Sequence, residues 1–519
     1  MYTGSTSYER LTYMRLFGMV SSICIMIAGC AVGPDFHAPT ALDTSTYTAA
    51  PLSRETASAP GVGGAAQSFT SGQDIPFQWW TLFHSSSLDQ VIHQALANNL
   101  TLASAEATLR QSQELLRATV GSALFPRVDA NASVTREKIS GALFGEPNVT
   151  IPPFTLYNAS VNVSYTFDIA GGARRELEAL RAQVDFQRFQ LEGAYLTLTA
   201  NIVTTAVGEA SVRGQIQALQ EIIAAQQKQL DLVERQYELG GASYADVLAQ
   251  RAQLAQTKAT LPPLEKNLTQ MRHLLAVLAG SLPSEAGTLP QFSLESLMLP
   301  QELPVSLPSS LVRQRPDIRA SEELLHAASA QIGVATANLY PQITLSGSGG
   351  YTAIKLTELF YPGAAVWSLG AGLLQPLFHG GELTAKRRAA IAAYDQAAAQ
   401  YRLTVLQAFQ NVADVLWALD SDAIALQAQA QAEAAAKDTL ELTQKQFQFG
   451  AISYLSVLNA VRQYQQARIG LVQAQALRFA DTAALFQSLG GGWWNRTSQE
   501  NIAVINLEMD LNARNSSNP

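Results

Sequence analysis

At 519 residues the chain has room for two to four domains. Only 15% of it is charged, against roughly 25% in an average soluble domain, and the net charge is −8 with a pI near 5.4. No basic cluster is present, which excludes a nucleic-acid surface, since phosphate binding needs a positive footprint. No run reaches the ~18 apolar residues of a spanning helix, so the protein either avoids membranes or crosses one as a barrel.

Arg10 and Arg15 precede a mostly apolar stretch, Leu16 to Ala28, that is too short to span a bilayer. This predicts a signal peptide over residues 1–29, with either Met1 or Met14 as the start. It ends "IAGC", which resembles the lipobox of bacterial lipoproteins. The resemblance implies that Cys30 is lipidated and becomes the first mature residue, and Ala31 in place of Asp implies sorting to the outer membrane. Cys24 lies in the signal core, so the mature chain forms no internal disulfide. Residues 31–76 are rich in Pro, Thr, Ser, Ala and Gly, which predicts an extended tether ordered only where it lies on something else. It belongs to an N-terminal segment, 30–87.

Beyond it the chain is a tandem repeat of about 210 residues. "FPRV" at Phe125 matches "YPQI" at Tyr340, the pair Gly171-Gly172 matches Gly380-Gly381, and "YELGGASYADVL" from Tyr237 matches "FQFGAISYLSVL" from Phe447. Order and spacing are both kept. The repeats are expected over 88–282 and 310–494, joined by a Pro-rich linker over 283–309 and followed by a polar tail, 495–519.

Each repeat is expected to open with a helix, about Leu88 to Ser122 in one and about Ser310 to Leu339 in the other. A proline, two strands, a Gly-Gly turn, a very long helix, a tight turn and a returning helix follow. From Glu382 to Phe449 there is neither Pro nor Gly, enough for roughly 100 Å of helix. Leu177, Val184, Leu191 and Leu198 fall every seven residues, as do Val405, Val412, Leu419 and Leu426, the mark of supercoiled helices. At the tight turns Gly240 and Gly450 suit positions just past a helix end, and Ser243 and Ser453 can cap the helix that follows. Asp246 stands three after Ser243, as in a capping box.

The strands alternate. Ala159, Val161, Val163, Tyr165 and Phe167 oppose Asn158, Ser160, Asn162, Ser164 and Thr166, and Val128, Ala130, Ala132 and Val134 oppose Asp129, Asn131, Ser133 and Thr135. In the second repeat Ile343 and Leu345 oppose Gln342, Thr344 and Ser346, while Trp367, Leu369, Ala371 and Leu373 oppose Ser368, Gly370 and Gly372. Stretches of about 10 residues, apolar on one side and polar on the other, fit membrane-barrel strands; a half-buried soluble sheet alternates too. Four strands cannot close a transmembrane barrel, whose minimum is about eight, and lipid does not tolerate open edges. Several copies must therefore pool strands. Two would give a lumen filled by side chains and three an open pore.

No catalytic constellation is legible. His37, His84, His93, His273, His326 and His379 form no HExxH or similar ligand spacing, and no glycine loop cradles a phosphate ahead of a helix. No metal or cofactor is expected. "FQWWTLF" from Phe77 and Trp493-Trp494 read as anchors packing into the helical body, and Asp317 of "RPDI" reads as a cap or docking residue.

Taken together the chain resembles the TolC-like outer-membrane efflux channels, closest to the lipoprotein (NodT/OprM-type) branch used by RND pumps. The resemblance rests on "CAVGPDFHAP" from Cys30, "WWTLF" from Trp79, "RPDIRASEELLHAASAQIGVATANLYPQITLS" from Arg315 and the two turn motifs. It implies an α+β membrane protein and a homotrimer. Twelve strands would form an outer-membrane β-barrel, and twelve helices a periplasmic α-barrel with a mixed equatorial belt. The implied role is a passive exit duct, without enzymatic activity, for an inner-membrane RND-type pump and a periplasmic membrane-fusion adaptor. The turn motifs would be periplasmic tips, where such channels close and adaptors dock, placing Gly240, Ser243, Tyr244, Asp246, Gly450, Ile452, Ser453, Tyr454, Ser456 and Asn459 at the gate. Ser456, Asn459 and Ile452 stand where that family often has acidic residues and an arginine. The competing reading is a periplasmic coiled-coil adaptor or scaffold lipoprotein.

Overall fold

The computed structural model describes residues 31–40, 44, 46–49, 53–145 and 148–496. Cys30, the signal segment and the tail beyond 496 lie outside the described residues. The elements run β1 (Ser68–Ser71), α1 (Ser86–Asn98), α2 (Leu100–Leu124), β2 (Arg127–Glu137), β3 (Phe154–Phe167), α3 (Gly172–Glu238), α4 (Tyr244–Ala259), α5 (Leu261–Leu278), β4 (Glu302–Val305), α6 (Pro308–Gln314), α7 (Pro316–Ala337), β5 (Gln342–Ala353), β6 (Ala365–Leu374), α8 (Glu382–Gln448) and α9 (Tyr454–Ser488).

The chain divides into two compact units. One holds the described residues up to Pro39, Leu109–Gln187 and Ser321–Tyr401. Its centre is a four-stranded antiparallel sheet in the order β2-β3-β5-β6. Each repeat contributes one hairpin, and β3 joins β5 from Tyr157↔Ala353 to Phe167↔Ile343. The start of the tether docks in this unit. Val32 N–H donates to Ala170 O (3.0 Å), Arg175 reaches Val32 O (3.2 Å) and the Asp35 carboxylate (2.6 Å), and Phe36 stacks on His326 with ring centroids 4.4 Å apart.

The other unit holds Thr40–Thr108, Arg188–Ala320 and the described residues from Arg402. It is mainly helical, with Trp79, Phe83, Phe479 and Phe486 among its fully buried side chains. α3 and α8 each run 67 residues. Glycines inside α3 are close-packing points: a methyl group at Gly214 would stand 3.0 Å from Val472 Cγ1. The tether is ordered where it lies on the linker: β1 and β4 pair in parallel from Ser68↔Glu302 to Ser71↔Val305. Arg272, paired with the fully buried Glu209 (3.0 Å), also donates to the carbonyls of Leu289 (3.1 Å) and Pro290 (3.3 Å) in the linker.

Three helices expected to be continuous are broken. The first, expected to run unbroken to about Ser122, divides at Asn99, which is extended. Its Oδ1 accepts from the N–H groups of Thr101 (2.9 Å) and Leu102 (3.2 Å), and its Nδ2 donates to Leu278 O (2.9 Å). The helix expected from about Ser310 divides at Arg315, also extended, because the following Pro316 disfavours the helical conformation before it. The first returning helix divides at Thr260, just ahead of Pro262 and Pro263. Its counterpart α9 has no proline and runs 35 residues unbroken.

Candidate functional site

Register turns four separate alternations into one surface. Residues directly paired across an antiparallel sheet share a face. Val161 pairs with Ala130 and Gly349, and Gly349 with Trp367; Val163 pairs with Val128 and Gly347, and Gly347 with Leu369. Most of the apolar residues of the four strands therefore lie on one side, and they are open: Trp367 and Leu369 are each 80% exposed. The opposite face is mainly hydroxyl and amide, with the Arg127–Asp129 ion pair among them. Asn158 Nδ2 donates to Thr352 Oγ1 (2.9 Å), and the Thr166 and Thr344 hydroxyls meet at 3.0 Å. The strands, at 10 to 14 residues, have the length that crosses a hydrocarbon core at a tilt.

The chain leaves the sheet for the long helices through the predicted glycines. Gly171 (φ +76°), Gly380 (φ +58°) and Gly381 (φ +84°) are left-handed, whereas Gly172 is the first residue of α3. Asp168 secures the first turn, its carboxylate accepting from the N–H groups of Ala173 (3.1 Å) and Arg174 (2.9 Å).

Both hairpin tips lie in the helical unit and are built alike. Gly240 (φ +76°) and Gly450 (φ +72°) end the long helices. The Gly240 N–H reaches Tyr237 O (2.9 Å) and the Gly241 N–H reaches Gln236 O (2.7 Å); Gly450 to Phe447 and Ala451 to Gln446 repeat this at 2.9 Å each. This paired closure of the last carbonyls requires the left-handed residue that glycine supplies without strain. The caps then differ. Asp246 accepts from Ser243 N–H (3.0 Å), and Ser243 Oγ accepts from Asp246 N–H (3.2 Å), completing a capping box. Ser453, expected to cap likewise, makes no side-chain cap bond. Ser456 occupies the position of Asp246 and brings no carboxylate to it.

The two hairpins share one core. Leu230, Val233, Val247 and Leu254 from the first pack with Tyr454, Val457, Leu458 and Val461 from the second. Tyr454 is 3% exposed and donates its hydroxyl to Gln250 Oε1; burial pushes that hydroxyl's pKa upward. Its sequence twin Tyr244 is 52% exposed. Arg462 Nε donates to Gln253 Oε1 (2.6 Å), a second link between hairpins that sequence reading missed, because nothing in a glutamine's neighbours announces a partner about two hundred residues away. Asn459 is exposed, and Ile452 and Ser456 are half-buried. Leu239 and Phe449, at the ends of the long helices, are each 88% exposed.

The helical unit also buries Arg478, 1% exposed. It donates to Leu419 O (2.6 Å) and to Thr56 Oγ1 (3.0 Å) of the N-terminal segment. One turn on, burial and then the neighbouring Asp422 carboxyl push Asp481 up to about 7, against the pull of Arg478. A carboxyl with a raised folded pKa contributes stability that is present below its unfolded pKa and lost as pH rises through about 7. Asp481→Asn should therefore raise the melting temperature more at pH 8 than at pH 4. Equal shifts at the two pH values in thermal unfolding would rule this out.

A sheet with one exposed apolar face and one polar face, on a chain that also builds two long helical hairpins, defines the protomer of an outer-membrane efflux component. The family profile described as "Outer membrane efflux protein" matches residues 91–281 and 307–491, and the chain belongs to that family. It is similar to the pyoverdine export outer membrane protein OpmQ of Pseudomonas putida, 31% identical over 448 residues, 84% of this chain and 92% of the relative. The antibiotic efflux pump outer membrane protein ArpC of Pseudomonas putida is 28% identical over 484 residues, 92% of this chain and 95% of the relative. Among solved structures the outer-membrane channel OprN superposes with a TM-score of 0.80 at 28% identity, covering 89% of this chain and all of that one. The protein is an efflux channel component of the outer membrane, and the adaptor or scaffold reading is set aside.

Proposed function

We propose that three copies pool their sheets into a twelve-stranded barrel whose lumen is the polar face, continued by the helical hairpins as a duct across the periplasm. One observation carries this reading: the sheet is apolar along the middle of one face, yet among the described residues its outer strands β2 and β6 each have one unpaired edge. In lipid every unpaired backbone group costs several kcal/mol, so β6 of one copy must meet β2 of the next. On this reading 88–282 and 310–494 are the two working repeats, joined by 283–309, and 30–87 is a tether lipidated at Cys30. The duct is passive, without catalysis, and takes its cargo from an adaptor and an inner-membrane pump. Relatives named for pyoverdine export and antibiotic efflux support small organic molecules as that cargo. Mass measurement of the detergent-extracted protein tests the reading, with a stable monomer or dimer overturning it.

The gate on this reading lies where the tips converge. Three exposed Asn459 amides around a threefold axis neither repel one another nor concentrate cations, whereas three carboxylates do both. Asn459→Asp should raise cation selectivity and sensitivity to divalent block in single-channel recordings, most clearly at low salt. Unchanged selectivity would place the constriction elsewhere, with the Asp246 tip as the next place to look.

A further inference from the structure

Between the two helical hairpins, bordering their shared core at Val461, lies a cavity of about 200 Å³. Buried Ala218 on α3 brings a small side chain to its wall, where a large one would fill the space, and Ala225, seven residues on, stands at its exposed side. Ile222 and Val461 supply apolar wall, and Tyr464 on α9 faces them with a ring. One wall group is out of place. Gln226 is 3% exposed, and neither its amide oxygen nor its amide nitrogen has a hydrogen-bond partner. Its backbone carbonyl is occupied by Gln250 Nε2 (2.7 Å), so only the side chain is left over. A buried carboxamide without partners is costly, and one lining an open space is relieved by whatever fills that space.

We propose that this cavity is a binding site for a small, uncharged, flat heterocycle carrying a ring amide. The carboxamide of Gln226 offers a donor and an acceptor side by side. A ring amide presents the same pair in reverse, its N–H donating to Gln226 Oε1 and its carbonyl accepting from Gln226 Nε2. The ring would lie against Tyr464 and the aliphatic wall, in the usual division between an apolar lining and a few convergent polar groups. Of the charged residues in the lining, Glu221 is exposed and Arg468 is paired with Glu433 (3.8 Å), so the buried group a ligand would meet, Gln226, is neutral and charged ligands are disfavoured. All of its lining residues come from one chain.

The test uses the full chain in detergent with 6-bromoquinolin-2-one as probe, its bromine located by anomalous diffraction and its affinity measured by titration calorimetry. A probe of this size is expected to bind with a dissociation constant on the order of 1 mM or below, with the bromine inside the cavity. Gln226→Leu removes the paired hydrogen bonds while giving the cavity an apolar wall of similar size, so the variant should fold, and binding should weaken about tenfold or more. Ala218→Leu, at a buried wall position, should abolish binding by occupying the space. A cavity filled by ordered water at saturating probe, or bromine bound only elsewhere, overturns the proposal. So does Gln226→Leu binding as tightly as the parent.

Discussion

Val161→Arg is expected to abolish the assembled channel, whereas Asn162→Arg, one residue along the same strand, leaves it assembled. Val161 lies near the middle of β3, half-open on the apolar face and paired with Ala130 and Gly349. On the assembly proposed above that face meets lipid. Arginine at the bilayer midplane costs about 2–4 kcal/mol per copy, and a trimer bears it three times. Asn162 faces the other way, paired with Asp129 and Ser348, where an arginine gains a carboxylate neighbour and water. Trimers in detergent should be lost in the first variant and kept in the second, which should conduct less. Equal yields of trimer would mean that the apolar face does not meet lipid.

Tyr454→Ala should loosen both hairpin tips, and the same change at Tyr244 should do little. The two tyrosines occupy the same position of the repeated motif, and burial separates them. Removing the Tyr454 ring empties a site in the core shared by both hairpins and ends its bond to Gln250, at a cost of about 3–5 kcal/mol. Tyr454→Phe keeps the ring and should cost about 1 kcal/mol. At half-exposed Tyr244, substitution should cost under about 1 kcal/mol. Hydrogen exchange of the amides around residues 230–255 and 445–461 measures this directly. On the proposed reading, Tyr454→Ala should also leak larger hydrophilic solutes. Unchanged exchange would show that the tips are held by the glycine closures alone.

Local chemistry was readable from the residues. The glycine closures at 240 and 450 and the Ser243–Asp246 box are interactions within a few residues, so spacing alone specifies them. The alternation in each strand and the uninterrupted run after Glu382 are equally local, and they determined which segments became strands and long helices. Tertiary structure decided the rest. The sequence could not say that β3 pairs with β5, and only that register merges four alternations into one apolar face. Nor could it tell Tyr454 from Tyr244, because burial depends on which helix packs alongside. The bond from Asn99 to Leu278 O joins distant segments, and the ordering of the tether rests on a strand in the linker over two hundred residues away. Contacts between distant segments form only when chain entropy has been overcome by the packing of the whole, so no window of sequence contains them.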